Sequence, residues 1–215
     1  MIRLLLTPTM FVAALLTVAV GMIRAWPVDN SDLSDFLLGA DDCPALCFLG
    51  IYPGSTTVEQ ALDQLRTHEW VGSAQLNASG RGYGDIRWQW SGQQSAFIDT
   101  TRPARITFYW DDEDPDGPRL NDSIIETLTI YTDIRMYRLQ AWFGLPDNGT
   151  SAFRNDENLG YAATYNVDYG MVDISTVMTC PAQLLSYWEA RARITLSIGR
   201  SSSPFVPPND ATRMC

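Results

Sequence analysis

The stretch Ile86-Arg87-Trp88-Gln89-Trp90 alternates bulky apolar side chains with polar ones, residue by residue. Successive side chains of a strand point to opposite faces, so this period of two predicts one apolar and one wet face. Ile106-Thr107-Phe108-Tyr109-Trp110 repeats the pattern, and Ser123–Tyr131 is rich in the β-branched residues that suit a pleated surface. A further short strand is expected near Ala96–Ile98. Turn-forming residues separate these runs about every ten positions, which makes an antiparallel meander the economical topology.

Upstream, the period changes. Val58, Ala61, Leu62 and Leu65 recur at helical spacing, with Glu59, Asp63, Gln64 and Arg66 on the wet side. Thr56 with Glu59 three residues on predicts a capping box at the entry. His68 is expected as an exposed residue at the helix end. Downstream the order repeats. Asp133–Phe143 supports a second helix, with Met136, Leu139 and Phe143 on one face. Gly144 is placed to end it in the left-handed conformation, and Pro146 stops continuation. Leu159–Val167 and Met171–Met178 predict a hairpin, Pro181–Glu189 a short helix and Ala192–Ile198 a last strand. The fold class is therefore α+β: an antiparallel sheet with helices packed on one face, in a tandem helix-plus-meander arrangement. The expected divisions are 1–25 as signal peptide or membrane anchor, 26–50 as linker, 51–132 and 133–199 as the two α+β units, and 200–215 as tail.

Two segments resemble a known family. Ile51-Tyr-Pro-Gly-Ser-Thr-Thr-Val-Glu-Gln-Ala-Leu-Asp-Gln-Leu65 is similar to the glycine-threonine entry and first helix of β-lactamase-inhibitor-like domains. Trp142-Phe143-Gly144-Leu145-Pro146 resembles the exit of that helix. The superfamily includes small lipoproteins that assist outer-membrane assembly, and some members carry tandem copies. The resemblance implies an exported domain whose sheet binds other proteins. The chain departs from the pattern in Trp70-Val71-Gly72, where no proline follows the helix, and in lacking a lipid-attachment cysteine. The fold alone carries over, with no functional residue.

The N-terminus sets the expected location. Residues 4–23 carry no charge, and twenty residues at about 1.5 Å each span the ~30 Å of a bilayer's hydrocarbon core. Thr7-Pro8-Thr9 interrupts this run early, so a cleaved signal and an uncleaved anchor both fit. The flank holding Asp29, Asp32, Asp35, Asp41 and Asp42 lacks the positive charge that retains a segment inside. The bulk of the chain is expected outside the cytoplasm, secreted or membrane-anchored. Export would make disulfides the natural state of Cys43, Cys47, Cys180 and Cys215. The favoured pairs are Cys43–Cys47 and Cys180–Cys215, the second closing a loop of about 34 residues worth ~3–4 kcal/mol.

Composition excludes several chemistries. The formal net charge is −10, with 25 acidic and 15 basic residues and one histidine. All the basic residues are arginine, which removes a phosphate-loop lysine, a Schiff-base lysine and a Ser-Lys dyad. One histidine cannot supply a multi-histidine metal site. An acidic chain without a basic stripe repels phosphate, so nucleic acid is not an expected partner.

One loop has metal-like spacing. Asp112, Asp114 and Asp116 followed by Gly117 match the first half of an oxygen-ligand calcium loop, but Ser123 stands where the bidentate glutamate belongs. The competing reading is an acidic hairpin tip. Trp88, Trp90, Tyr109, Trp110, Tyr131 and Tyr137 form either core or a binding surface. No Gly-x-Ser-x-Gly elbow surrounds a serine, and no spacing selects a carboxylate pair. The expected function is a non-catalytic binding module of the cell envelope with a protein partner. The alternatives are an extracytoplasmic hydrolase or carbohydrate-active enzyme with an acidic site, or a calcium-dependent adhesion domain.

Overall fold

A computed structural model describes residues 17, 33, 36, 47–79, 82–110, 119–144, 148–155, 158–167, 170–179 and 184–198. The chain divides into two compact units, Met1–Leu33 and Ser34–Cys215. In the first, Thr17 and Leu33 are helical; the remainder of the expected membrane segment lies outside the described residues. No helix among the described residues is long and apolar enough to cross a membrane.

The second unit holds α1 (Val58–Thr67), β1 (Val71–Ser79), β2 (Tyr83–Trp90), β3 (Ala104–Tyr109), a 3-10 turn (Leu120–Asp122) and β4 (Ile125–Arg135). It continues with α2 (Met136–Phe143), β5 (Asn148–Asn155), β6 (Asn158–Val167), β7 (Gly170–Thr179), α3 (Leu184–Glu189) and β8 (Arg191–Ile198). The strands form one eight-stranded sheet in the order β1-β2-β3-β4-β8-β7-β6-β5, antiparallel at every pairing. Two four-stranded meanders thus share a single sheet, joined through their last strands. The expected boundary at 132/133 falls inside β4.

Helix α1 buries Val58, Ala61, Leu62 and Leu65, as its spacing predicts, but its cap lies one residue later than expected. Thr57 Oγ1 accepts from the Gln60 amide at 3.3 Å, and Gln60 Oε1 accepts from the Thr57 amide at 3.0 Å. Thr56 is engaged elsewhere. It is buried, and its hydroxyl accepts from the Tyr52 amide at 2.8 Å. Its carbonyl also accepts from Ile125 at 2.9 Å, which ties the turn before α1 to the start of β4.

The second helix starts three residues later than predicted. Ile130, Thr132 and Ile134 are buried with exposed Asp133 between them, so the period of two persists through Arg135 before α2 begins. Gly144 ends α2 with φ +79° and ψ −148°, a conformation essentially reserved for glycine though outside the left-handed helical basin. The expected strand at Ala96–Ile98 is only a bridge between Ile98 and Thr132. Strands β1 and β5 are additions to the expected set.

The sheet has two unlike faces. A row of directly paired residues, Ile86, Ile106, Leu128, Leu196 and Val172, crosses five strands, and all are buried. Trp88 and Trp90 share this face, 5.6 Å apart, and Phe48 meets Trp90 edge-on at 6.3 Å. Phe36 touches Phe48 at 5.8 Å and Phe97 at 5.5 Å, while the Arg138 guanidinium of α2 lies 5.2 Å from the Phe97 ring centre. The expected 26–50 linker therefore contributes core residues. Cys47 is buried and disulfide-bonded. Cys43, Cys180 and Cys215 lie outside the described residues, and so does the pairing.

Candidate sheet-face site

Strand alternation puts a second set of side chains on the face opposite Trp88. Following the pairings through Gln75, Arg87, Arg105 and Thr129, then through Thr195 and Asp173, traces one row of these side chains across six strands, and the strand register continues it to Thr164 of β6 and Asn148 of β5. Every position in it is polar. The adjoining row runs Asn77, Asp85, Thr107, Thr127 and Ser197 across five strands. Hydroxyl pairs bind neighbouring strands together here, Thr107 to Thr127 at 2.6 Å and Thr129 to Thr195 at 3.2 Å. Arg193 Nε donates to Ser175 Oγ at 2.8 Å. Thr107, Thr127, Thr129 and Thr195 are each half-buried rather than sealed.

The densest chemistry on this face is at β2 and β3. The Asp85 side chain is 7% exposed, and its Oδ2 lies 2.5 Å from Arg87 Nε and 3.0 Å from Arg105 Nε. The Arg87 contact is a hydrogen bond; the Arg105 contact is an ion pair without hydrogen-bond alignment. Arg105 Nη2 instead donates to the Tyr83 hydroxyl, with its guanidinium 5.9 Å from the Tyr83 ring centre. Tyr83 in turn lies 5.1 Å from Tyr109, which is 55% exposed. A buried carboxylate thus orients two partly exposed guanidinium groups beside a tyrosine pair. Three residues of β2 (Tyr83, Asp85 and Arg87) and two of β3 (Arg105 and Tyr109) build this cluster. Alternation on each strand is visible in the sequence, but the register that brings Arg105 opposite Arg87 is not.

The expected sites distribute differently. The loop with Asp112, Asp114 and Asp116 lies outside the described residues. Among the described residues no group of three or more His, Cys, Asp or Glu is arranged to hold a metal ion. The six aromatics divide: Trp88 is core, Trp90, Trp110 and Tyr131 are half-buried, and Tyr109 and Tyr137 are exposed. Tyr131 carries the Arg102 guanidinium 5.1 Å from its ring centre.

A second buried carboxylate, Asp99, is an anchor. Burial favours its neutral form. The hydroxyl and amide of Thr101, at 2.5 and 3.0 Å, and the charges of Arg102 and Arg191 outweigh burial and lower its pKa. A general acid needs the opposite shift.

His68 is half-buried rather than exposed. Its Nδ1 accepts from the Trp70 amide at 3.1 Å, and its ring meets Trp70 edge-on at 5.5 Å. Burial lowers its pKa below the ordinary 6.5, against the weaker opposing pull of Glu69. The folded state therefore holds this imidazole neutral while the unfolded chain protonates it first. Its contribution to stability is full above pH 6.5 and is lost as pH falls from 6.5 through the lower folded value. No other histidine titrates in this window. Urea unfolding at pH 7.5 and 5.5 is expected to show lower stability at 5.5, and His68→Gln to flatten the difference. An equal pH dependence in the variant would remove His68 as the cause.

Comparison with family models, curated proteins and solved structures finds no match to this chain.

Proposed function

We propose that this chain is an exported, non-catalytic binding module of the cell envelope, docking a protein partner on the polar face of its sheet. The observation that carries the reading is the unbroken polar row across all eight strands, opposite a fully buried apolar row. Seven inter-strand spacings of about 4.8 Å give a face roughly 34 Å wide, and eight residues at about 3.3 Å give roughly 26 Å along the strands. That is close to the ~800 Å² each partner buries in a standard interface. Arginine and tyrosine, both enriched at binding hot spots, stand on it beside adaptable hydroxyls.

Mirrored strand order supports a tandem helix-plus-meander architecture. Each meander follows a helix, α1 before β1 and α2 before β5, and each last strand follows a short helical turn. Two copies of one helix-plus-four-strand unit, joined at β4 and β8, are the simplest source of that symmetry. The same arrangement favours the resemblance to β-lactamase-inhibitor-like domains. Export rests on the uncharged run at 4–23 and on the cysteines.

Site-specific photo-crosslinking in cells tests the face. A photoreactive residue at Thr129, at the sheet centre, is expected to yield a discrete protein adduct. One at Glu59, on the exposed side of α1, is expected to yield none. Adducts from Glu59 alone, or equal labelling from both positions, would refute the assignment.

A further inference from the structure

We infer that the Arg87–Arg105–Tyr83 corner of the polar face is a carboxylate-binding subsite, which takes an aspartate or glutamate side chain of the docked protein. This rests on the binding-module reading. Three observations carry it.

First, the guanidinium groups are oriented but not used up. Arg87 meets Asp85 through Nε, so its Nη edge has no partner among the described residues. Its side chain is 54% exposed, and that of Arg105 is 39% exposed. A planar guanidinium edge of this kind binds a carboxylate through two parallel hydrogen bonds.

Second, one buried carboxylate serves two guanidinium groups, which leaves the corner locally cationic. The contrast with a chain of formal net charge −10 is sharp. The long-range field disfavours a strongly anionic surface such as a phospholipid membrane or a polyphosphate. Screening over about 8 Å at physiological salt lets a single carboxylate on a mixed-charge protein surface feel the corner instead.

Third, the adjacent Tyr83–Tyr109 pair supplies a protein-like contact surface. Tyr109 is exposed, and Tyr83 is fixed at its hydroxyl by Arg105. Asp85 touches no partner in this scheme. It is a positioning residue for the two arginines.

The test uses full-length protein in detergent and a labelled synthetic peptide alternating glutamate and serine, read by fluorescence anisotropy. Binding is expected to weaken with added salt and to exceed that of a lysine-serine peptide. Arg87→Lys keeps the charge but removes the fork, and affinity should fall about tenfold. Arg105→Lys should fall comparably, and Arg66→Ala on α1 should leave binding unchanged. Unaltered melting temperatures would confirm that the variants fold. Equal affinity in wild type and both lysine variants would overturn the inference. So would binding to phosphatidylglycerol vesicles that depends on Arg87 while peptide binding does not. If the Thr129 adduct forms in wild type but peptide binding is absent, the subsite fails and the face reading stands. Loss of the Thr129 adduct in wild type removes both.

Discussion

Trp88→Ala is expected to lower the free energy of unfolding by about 3–5 kcal/mol, and the melting temperature by roughly 10 °C. Trp88 is 1% exposed in β2. Its direct neighbours across the sheet are Ala74 on β1 and Ala104 on β3. Two alanines make room for the indole, and neither is large enough to fill its place. Collapse along the sheet is therefore poor, and the cavity penalty should lie near the upper end of the range. Trp88→Phe is a sharper test. The indole Nε1 is buried without a hydrogen-bond partner, an orphan that costs about 1–3 kcal/mol. Phenylalanine loses contact area but removes that orphan, so it should remain within about 1 kcal/mol of wild type. Denaturant unfolding decides the matter. If Trp88→Phe cost as much as Trp88→Ala, the relief of an unpaired N–H would have no place in the account.

The elements that the sequence disclosed are those that bury one face against a neighbouring layer. Ile86, Trp88 and Ile106, Phe108 declare their strands because only a half-buried strand needs that alternation. Strand β1 reads Val-Gly-Ser-Ala-Gln-Leu-Asn-Ala-Ser, and none of its described side chains is buried. At the edge of the sheet, β2 dictates its conformation through backbone pairing, and its own side chains carry little of the signal. Strand β5, Asn-Gly-Thr-Ser-Ala-Phe-Arg-Asn at the other edge, shows no apolar alternation in its sequence. The cap of α1 moved by one residue because Thr56 and Thr57 are chemically equivalent, and only the Tyr52 amide assigns Thr56 elsewhere. Met136 fits both patterns, two residues on from Ile134 in the strand and three before Leu139 in the helix, which placed the start of α2 too early. The Asp85 cluster is a matter of register, and register is invisible until the strands are paired.

Gly84→Ala joins this packing to the proposed function and should cost about 1–3 kcal/mol of stability. A Cβ there would run into Phe108 Cζ, lie 2.7 Å from Phe108 Cε2 and sit 3.1 Å from the Asn77 carbonyl oxygen. Phe108 pairs directly with Gly84 and is fully buried, so its ring has no open space to enter. The cheaper response is for β2 to move. Tyr83 and Asp85 flank Gly84, and both side chains belong to the opposite face. A displaced β2 would carry Asp85 away from Arg105 and loosen Tyr83 from the same guanidinium. Gly84→Ala is thus expected to weaken glutamate-peptide binding as well as stability, although residue 84 never meets the peptide. Phe108→Leu frees the space the new methyl needs. The double variant should then be less destabilised than the two single costs add to, and it should regain peptide affinity. Strict additivity in unfolding would show that the methyl and the ring do not compete. Stability regained without affinity would show that β2 does not transmit the strain across the sheet.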